Sequence, residues 1–244
     1  MKNYFLFLIL TLAIFACSLN KDPQEIVDKS IEAHGVKKFE NRTITFDFRD
    51  KQYLVKREQD KYTYIRSFEH DSLGRVKDVL LNSTDLVRYV NDTVANISDE
   101  WKFKYANSVN SVLYFFQLPY GLNDPAVIKE YLGQKVINGT LYEKIKVTFQ
   151  KENGGKDFED EYVYWINSKT NTIDFFAYSY LTDGGGKRFR QAINRRKIKG
   201  ILFQDYINFE PANVNTKVED LDVAFIEASL IELSQISSLN INVQ

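Results

Sequence analysis

Tyr105-Ala106-Asn107-Ser108-Val109-Asn110-Ser111-Val112-Leu113-Tyr114-Phe115-Phe116-Gln117-Leu118 is the stretch that decides how the rest of the sequence is read. Val109, Val112, Leu113 and Phe116 recur at three- and four-residue intervals, which predicts a helix with a broad apolar face. Such a helix, set into a chain of strands, has to bury that face. The concave side of a curved sheet is the natural place for it.

Upstream the period is two. Ile44, Phe46 and Phe48 alternate with Thr45, Asp47 and Arg49, and Tyr53, Val55, Arg57 and then Tyr62, Tyr64, Arg66, Phe68 continue the pattern. With residues 76–81 and 86–90 this makes about five antiparallel strands joined by short polar turns. Ahead of them Ile26, Val27, Ser30, Ile31, Ala33 and His34 fall near helical spacing, with Asp22 as cap, Pro23 in the first turn and Gly35 as terminator. His34, at the end of that helix, reads as a surface or capping histidine.

Downstream, residues 119–125 are rich in breakers, and Asn123 or Asp124 is placed to cap a short helix running to Tyr131. Strands resume at Lys135: 141–149, then 162–166 and 173–181 as a hairpin, then 188–197 and 201–209 as another through Lys199-Gly200. The tail carries a short helical start and a last strand at 230–236. The predicted fold is α+β: a large curved antiparallel β-sheet, a half-barrel, with helices packed on its concave side, and about ten strands in all.

Several strands are apolar on both faces, as where Ile173, Phe175 and Ala177 oppose Phe176, Tyr178 and Tyr180. A sheet with one wet face alternates more cleanly, so helices, a partner or a ligand must cover the second face. The 15 Tyr and 18 Phe favour sheet in the same way. A formal net charge of −1 argues against nucleic acid as a partner.

The N-terminus reads as an export signal. Met1-Lys2-Asn3 is a short positive start, and residues 4–16 are apolar apart from Thr11. That run is shorter than the ~20 residues a membrane span needs. Ile14-Phe15-Ala16-Cys17 resembles the lipobox of bacterial lipoproteins, although Phe15 is bulkier than the usual occupant. Cys17 is the sole cysteine, so no internal disulfide is open to it, and lipidation gives the thiol a purpose. The expected organisation is a signal peptide at 1–16, a lipidated N-terminus and short tether at 17–23, and one domain over 24–244.

Three stretches carry a family likeness: Leu118-Pro119-Tyr120-Gly121-Leu122-Asn123-Asp124, Thr182-Asp183-Gly184-Gly185-Gly186-Lys187-Arg188-Phe189-Arg190 and Gly200-Ile201-Leu202-Phe203-Gln204-Asp205-Tyr206-Ile207-Asn208. Through them the sequence resembles an uncharacterised, Bacteroidota-type family of Gram-negative envelope lipoproteins. Its order of elements resembles the lipoprotein-sorting (LolA/LolB-like) half-barrel. The resemblance implies a hydrophobic cavity for acyl chains under the half-barrel and a cell-envelope location at the outer membrane. A lipid-anchored Cys17 then suits an acceptor or resident lipoprotein better than a free shuttle.

Catalytic equipment is thin. Two histidines, His34 and His70, offer no His-x-x-x-His metal motif, and there is no Gly-x-Ser-x-Gly elbow. No cofactor or metal is expected. Asp183-Gly184-Gly185-Gly186-Lys187 lacks the spacing of a phosphate loop and reads as a hairpin turn. The basic run Lys187, Arg188, Arg190, Arg195 and Arg196 is either a solvated strand face or an anion patch for lipid head groups. The acidic set Asp157, Glu159, Asp160 and Glu161 does not match a calcium loop. Trp101, Tyr105, Phe115, Phe116 and Tyr120 are either core or the lining and gate of a ligand cavity.

Two functions of different kinds follow. The first is a membrane-anchored lipoprotein binding an acyl chain or other hydrophobic ligand under the half-barrel. The second is a non-enzymatic structural or protein-interaction lipoprotein with a filled core and no ligand. An enzyme working through Asp183 and Asp205 is a distant third.

Overall fold

Asp22 accepts the Gln24 N–H at 2.9 Å and Pro23 follows it, so helix α1 (Pro23–His34) starts where its cap places it. Gly35 ends it at φ 66°, its N–H returning to the Glu32 and Ile31 carbonyls. A Cβ on Gly35 would lie 2.2 Å from the Gly200 carbonyl oxygen, so this close approach admits only glycine. The structure is a computed structural model that describes residues 21–58, 61–82, 85–152, 159–181 and 184–244. Cys17, Asp157 and Asp183 lie outside those residues.

The first meander comprises β1 (Thr43–Phe48), β2 (Lys51–Glu58), β3 (Lys61–His70), β4 (Gly74–Leu81), β5 (Asp85–Val90) and the short β6 (Thr93–Val94). Helix α2 (Asp99–Gln117) follows, with the Ser98 hydroxyl accepting the Trp101 N–H. A 3-10 turn (Tyr120–Asn123) leads into β7 (Val127–Ile137), β8 (Thr140–Phe149), β9 (Tyr162–Asn167), β10 (Ile173–Tyr180), β11 (Gly186–Ile198) and β12 (Ile201–Pro211). Helix α3 (Leu221–Ile226), β13 (Leu230–Ile236) and β14 (Ser238–Val243) complete it.

The strands form two seven-stranded antiparallel sheets, β14-β1-β2-β3-β4-β5-β6 and β13-β12-β11-β10-β9-β8-β7. The expected α+β architecture is present, with the refinement that the curved sheet comes in two open halves. β13 pairs with β12 and β14 pairs with β1, so two consecutive strands tie the halves together.

Two expectations need correction. The segment running to Tyr131 is strand β7, not a helix, and it belongs to a sheet edge. Val127, Ile128, Tyr131 and Leu132 mimic helical spacing because Ile128 is an exposed apolar residue and because a bulge between Tyr131 and Gln134, with Gly133 at φ 93°, then breaks the alternation. The strand β14 follows the one expected at 230–236. Its Leu239, Ile241 and Val243 do alternate, but they lie beside Asn and Ser on a half-exposed ribbon that gives a weak signal.

The core has three parts. Val27, Ile31, Phe39, Tyr164, Phe176 and Phe203 pack between α1 and the concave face of the second sheet. Phe46, Val55, Tyr64 and Leu80 pack under Val109 and Leu113 of α2. Trp165, Phe175, Phe189 and Leu221 fill the opposite face of the second sheet, beneath α3. The strands that were apolar on both faces are thus covered on both by helices.

His34 is not at the surface. It is 1% exposed, and its Nε2 accepts the Ile173 N–H at 3.0 Å, locking α1 to the start of β10. Burial, seconded by Arg195, lowers its pKa from 6.5 to about 4, with Asp174 opposing. A proton on Nε2 would face the Ile173 N–H head-on. As pH falls the unfolded chain takes the proton first, so this stability is complete above about pH 6.5 and is lost toward pH 4. The loss amounts to about 3 kcal/mol. Urea midpoints at pH 7 and pH 4.5 measure it, and His34→Gln is expected to flatten that part of the dependence.

Candidate functional site

Helix α2 is the wedge between the two sheets, and its last turns decide what the concave side can hold. Phe116 stacks on Phe46 of the first sheet at 3.7 Å between centroids and on Phe203 of the second at 5.2 Å. Phe115 lies against Phe176 at 5.5 Å and Tyr178 at 5.0 Å. The Tyr114 and Tyr164 hydroxyls sit 3.1 Å apart, and burial pushes the Tyr114 phenol up to about 12 and that of Tyr164 well above its usual value. On the other side Gln117 donates to the Tyr64 hydroxyl at 2.9 Å and accepts from Arg57 at 2.7 Å. Arg57 lies over the Tyr120 ring at 4.0 Å.

The five aromatic residues singled out from the sequence therefore divide. Phe115, Phe116 and Tyr120 meet at the junction of the sheets. Trp101 and Tyr105 stack on each other at 5.3 Å, roughly three to four turns away along the helix. Trp101 is 50% exposed, and Tyr105 covers Arg88. Side chains of α2 pack into the concave side. Two recorded depressions, about 320 Å³ beside Lys146 and Lys217 and about 390 Å³ beside Thr45 and Asn240, involve none of the five.

The basic run is likewise split by the pleat of β11. Lys187 donates to the Val214 carbonyl on the face that α3 covers. Arg188 pairs with Glu210 at 3.4 Å, Arg195 with Asp174 at 2.5 Å and Arg196 with Asp205 at 3.1 Å. Asp205 also accepts the Ser238 N–H at the crossing from β13 to β14, a structural role for one of the two carboxylates considered for catalysis. Glu161 of the acidic set pairs with Lys146.

Arg190 differs from its neighbours. It points to the concave face in a cross-strand row with Tyr164, Phe176 and Asn208. It is 8% exposed, donates to the Tyr178 hydroxyl at 2.9 Å and lies 4.0 Å from the centre of the Phe115 ring. Among the described residues no carboxylate pairs with it, and its buried Nε has no hydrogen-bond partner.

A second group is invisible to local sequence reading. Arg66, Asp78 and Arg88 lie side by side on β3, β4 and β5, all buried beneath α2. The Asp78 carboxylate accepts from Arg66 at 2.7 and 3.0 Å and from Arg88 at 2.7 and 2.9 Å. Arg66 reaches up to the Ser108 hydroxyl at 2.7 Å. Only a strand alignment places three such residues in register, so no local motif could have revealed them.

An open two-sheet half-barrel wedged by one central helix is thus the class of protein that this geometry defines. The chain belongs to a family of unknown function, DUF6503, whose sequence profile matches residues 2–238. Among curated proteins none matches the sequence. Of the solved structures, a DUF1329 family protein from Desulfovibrio piger ATCC 29098 is 13% identical, with a TM-score of 0.57 over 91% of this chain and 93% of that one. A LolA superfamily protein from Nitrosomonas europaea is 11% identical, with a TM-score of 0.48 and coverage of 91% and 93%. An uncharacterised family is what the sequence resemblance implied.

Proposed function

We propose that this protein is a lipoprotein of the cell envelope, held at the outer membrane through acyl groups on Cys17. In this reading it shelters an acyl chain or similar apolar ligand between α2 and the concave faces of its two sheets. The observation that carries it is the convergence of aromatic rings from both sheets on the last turns of a single helix. Phe115 and Phe116 occupy the space a chain would take, so binding is an exchange in which those turns withdraw and methylenes replace the rings. Each buried methylene contributes about 0.8 kcal/mol, enough over a long chain to offset the lost ring contacts. In this reading the tether departs beside Lys21, which is tied to Glu143 of β8 at 2.7 Å.

The close Phe46–Phe116 stack favours a second reading, a non-enzymatic interaction lipoprotein whose core is simply full. Native mass spectrometry of protein extracted gently from membranes separates the two. The first reading expects a non-covalent adduct of acyl-chain mass, in addition to the covalent N-terminal lipid that Cys17→Ser removes. An adduct-free protein that crosslinks to one partner in intact cells supports the second.

A further inference from the structure

We infer that Arg190 is the head-group site of that ligand space, and that the ligand is an amphiphile carrying one oxyanion, a carboxylate or a phosphate, on its apolar chain. The inference rests on the acyl-binding reading above and sharpens it.

A buried charge needs a partner, since transfer out of water removes its solvation. The other buried charges among the described residues obey that rule: Arg66 and Arg88 share Asp78, and Glu143, Asp205 and Asp222 each hold a Lys or an Arg. Arg190 is as buried as Arg88, yet among the described residues it meets one neutral hydroxyl and ring faces. Phe115 lies at 4.0 Å, with Tyr178 and Phe176 at 5.3 and 5.4 Å. Ring quadrupoles offset part of the cost without supplying an acceptor. The unpartnered Nε is a donor awaiting one.

The residue opposite points the same way. Asn208 is the register partner of Arg190 across β11 and β12, and its Oδ1 is also buried without a partner. Turning that amide over presents its NH2 instead, a second donor beside the guanidinium. An oxyanion there would accept from both. A guanidinium is well suited to either a carboxylate or a phosphate.

The cover over the site is Phe115, the same side chain that a chain under α2 must displace. Head-group pairing and chain entry are therefore one event: the ring leaves the Arg190 face as the anion arrives. A neutral apolar ligand would move the ring and leave the guanidinium with less compensation than before.

The test is a titration of the full-length protein with palmitate, 1-palmitoyl lysophosphatidate and methyl palmitate, followed by native mass spectrometry. At least one acid is expected to bind tenfold or more tighter than the ester, and which acid does so identifies carboxylate or phosphate. Arg190→Met is expected to abolish the preference, so that acids and ester bind at one level, while Arg190→Lys keeps part of it. Equal binding of ester and acids by the wild type, which needs no variant, overturns the head-group site and leaves the acyl site standing. So does a preference that survives in Arg190→Met. Binding of none of the three overturns both.

Discussion

Replacing Asp78 with alanine is expected to lower the unfolding free energy by about 3–5 kcal/mol, read as a fall in the urea midpoint with little change in slope. Asp78 is fully buried and, among the described residues, is the one carboxylate that pairs with Arg66 and Arg88 on the adjoining strands. Removing it leaves two buried guanidinium groups facing each other with no carboxylate between them. The face of Tyr105, 3.2 Å from the Arg88 guanidinium carbon, offsets part of that repulsion and cannot replace a charge. Asp78→Asn keeps an acceptor and should fall between wild type and alanine. The decisive comparison changes all three residues to apolar side chains of similar volume. If buried charge is the cause, that variant recovers much of the loss; if shape alone matters, it is worse than Asp78→Ala. Arg66 also holds Ser108, so the alanine variant should loosen α2 as well, with faster hydrogen exchange in residues 99–117.

Trp165→Ala is expected to cost a similar amount, about 3–5 kcal/mol, for a different reason. Trp165 is fully buried on the far face of the second sheet, edge-on to Phe189 at 5.5 Å and beneath α3. Its indole N–H donates to Asp222 at 3.1 Å, and Lys144 completes that pair at 3.2 Å. The alanine variant opens a cavity and leaves Asp222 with one partner fewer. Trp165→Phe fills most of the space and should recover the larger part, the remainder reporting the Asp222 bond. Thermal melting of the two variants side by side gives the split. Because this face is sealed, Trp165→Ala should leave palmitate binding on the concave side unchanged wherever the variant is folded.

The sequence made the strands legible where one face is wet and illegible where geometry interrupts the alternation. β1 to β5 read clearly because Ile44, Phe46, Tyr53, Val55 and Tyr64 face the core while their neighbours face solvent. β7 did not, since its bulge shifts the pattern by one residue midway. The caps of α1 were readable because Asp22, Pro23 and Gly35 each have one local job. The burial of His34 was not, since it depends on β10 arriving above it from far along the chain. The same holds for the site. The richness of aromatics on α2 was visible, and so was the excess of base on β11. Which arginine lacks an acid was not, because Asp174, Asp205 and Glu210 reach their partners only through strand pairing.

The crossing from β13 to β14 carries one more consequence, for the order in which the protein can assemble. Ile44 sits opposite Val243, so the first strand waits with an open edge until synthesis has reached the last. Each seven-stranded half can begin to pair from local hairpins, whereas the seam between them closes late and at the entropic cost of a very long loop. Until then β1 offers unpaired backbone to any passing strand. A newly made chain is thus most vulnerable to aggregation, and most in need of a chaperone's shelter, along one known edge.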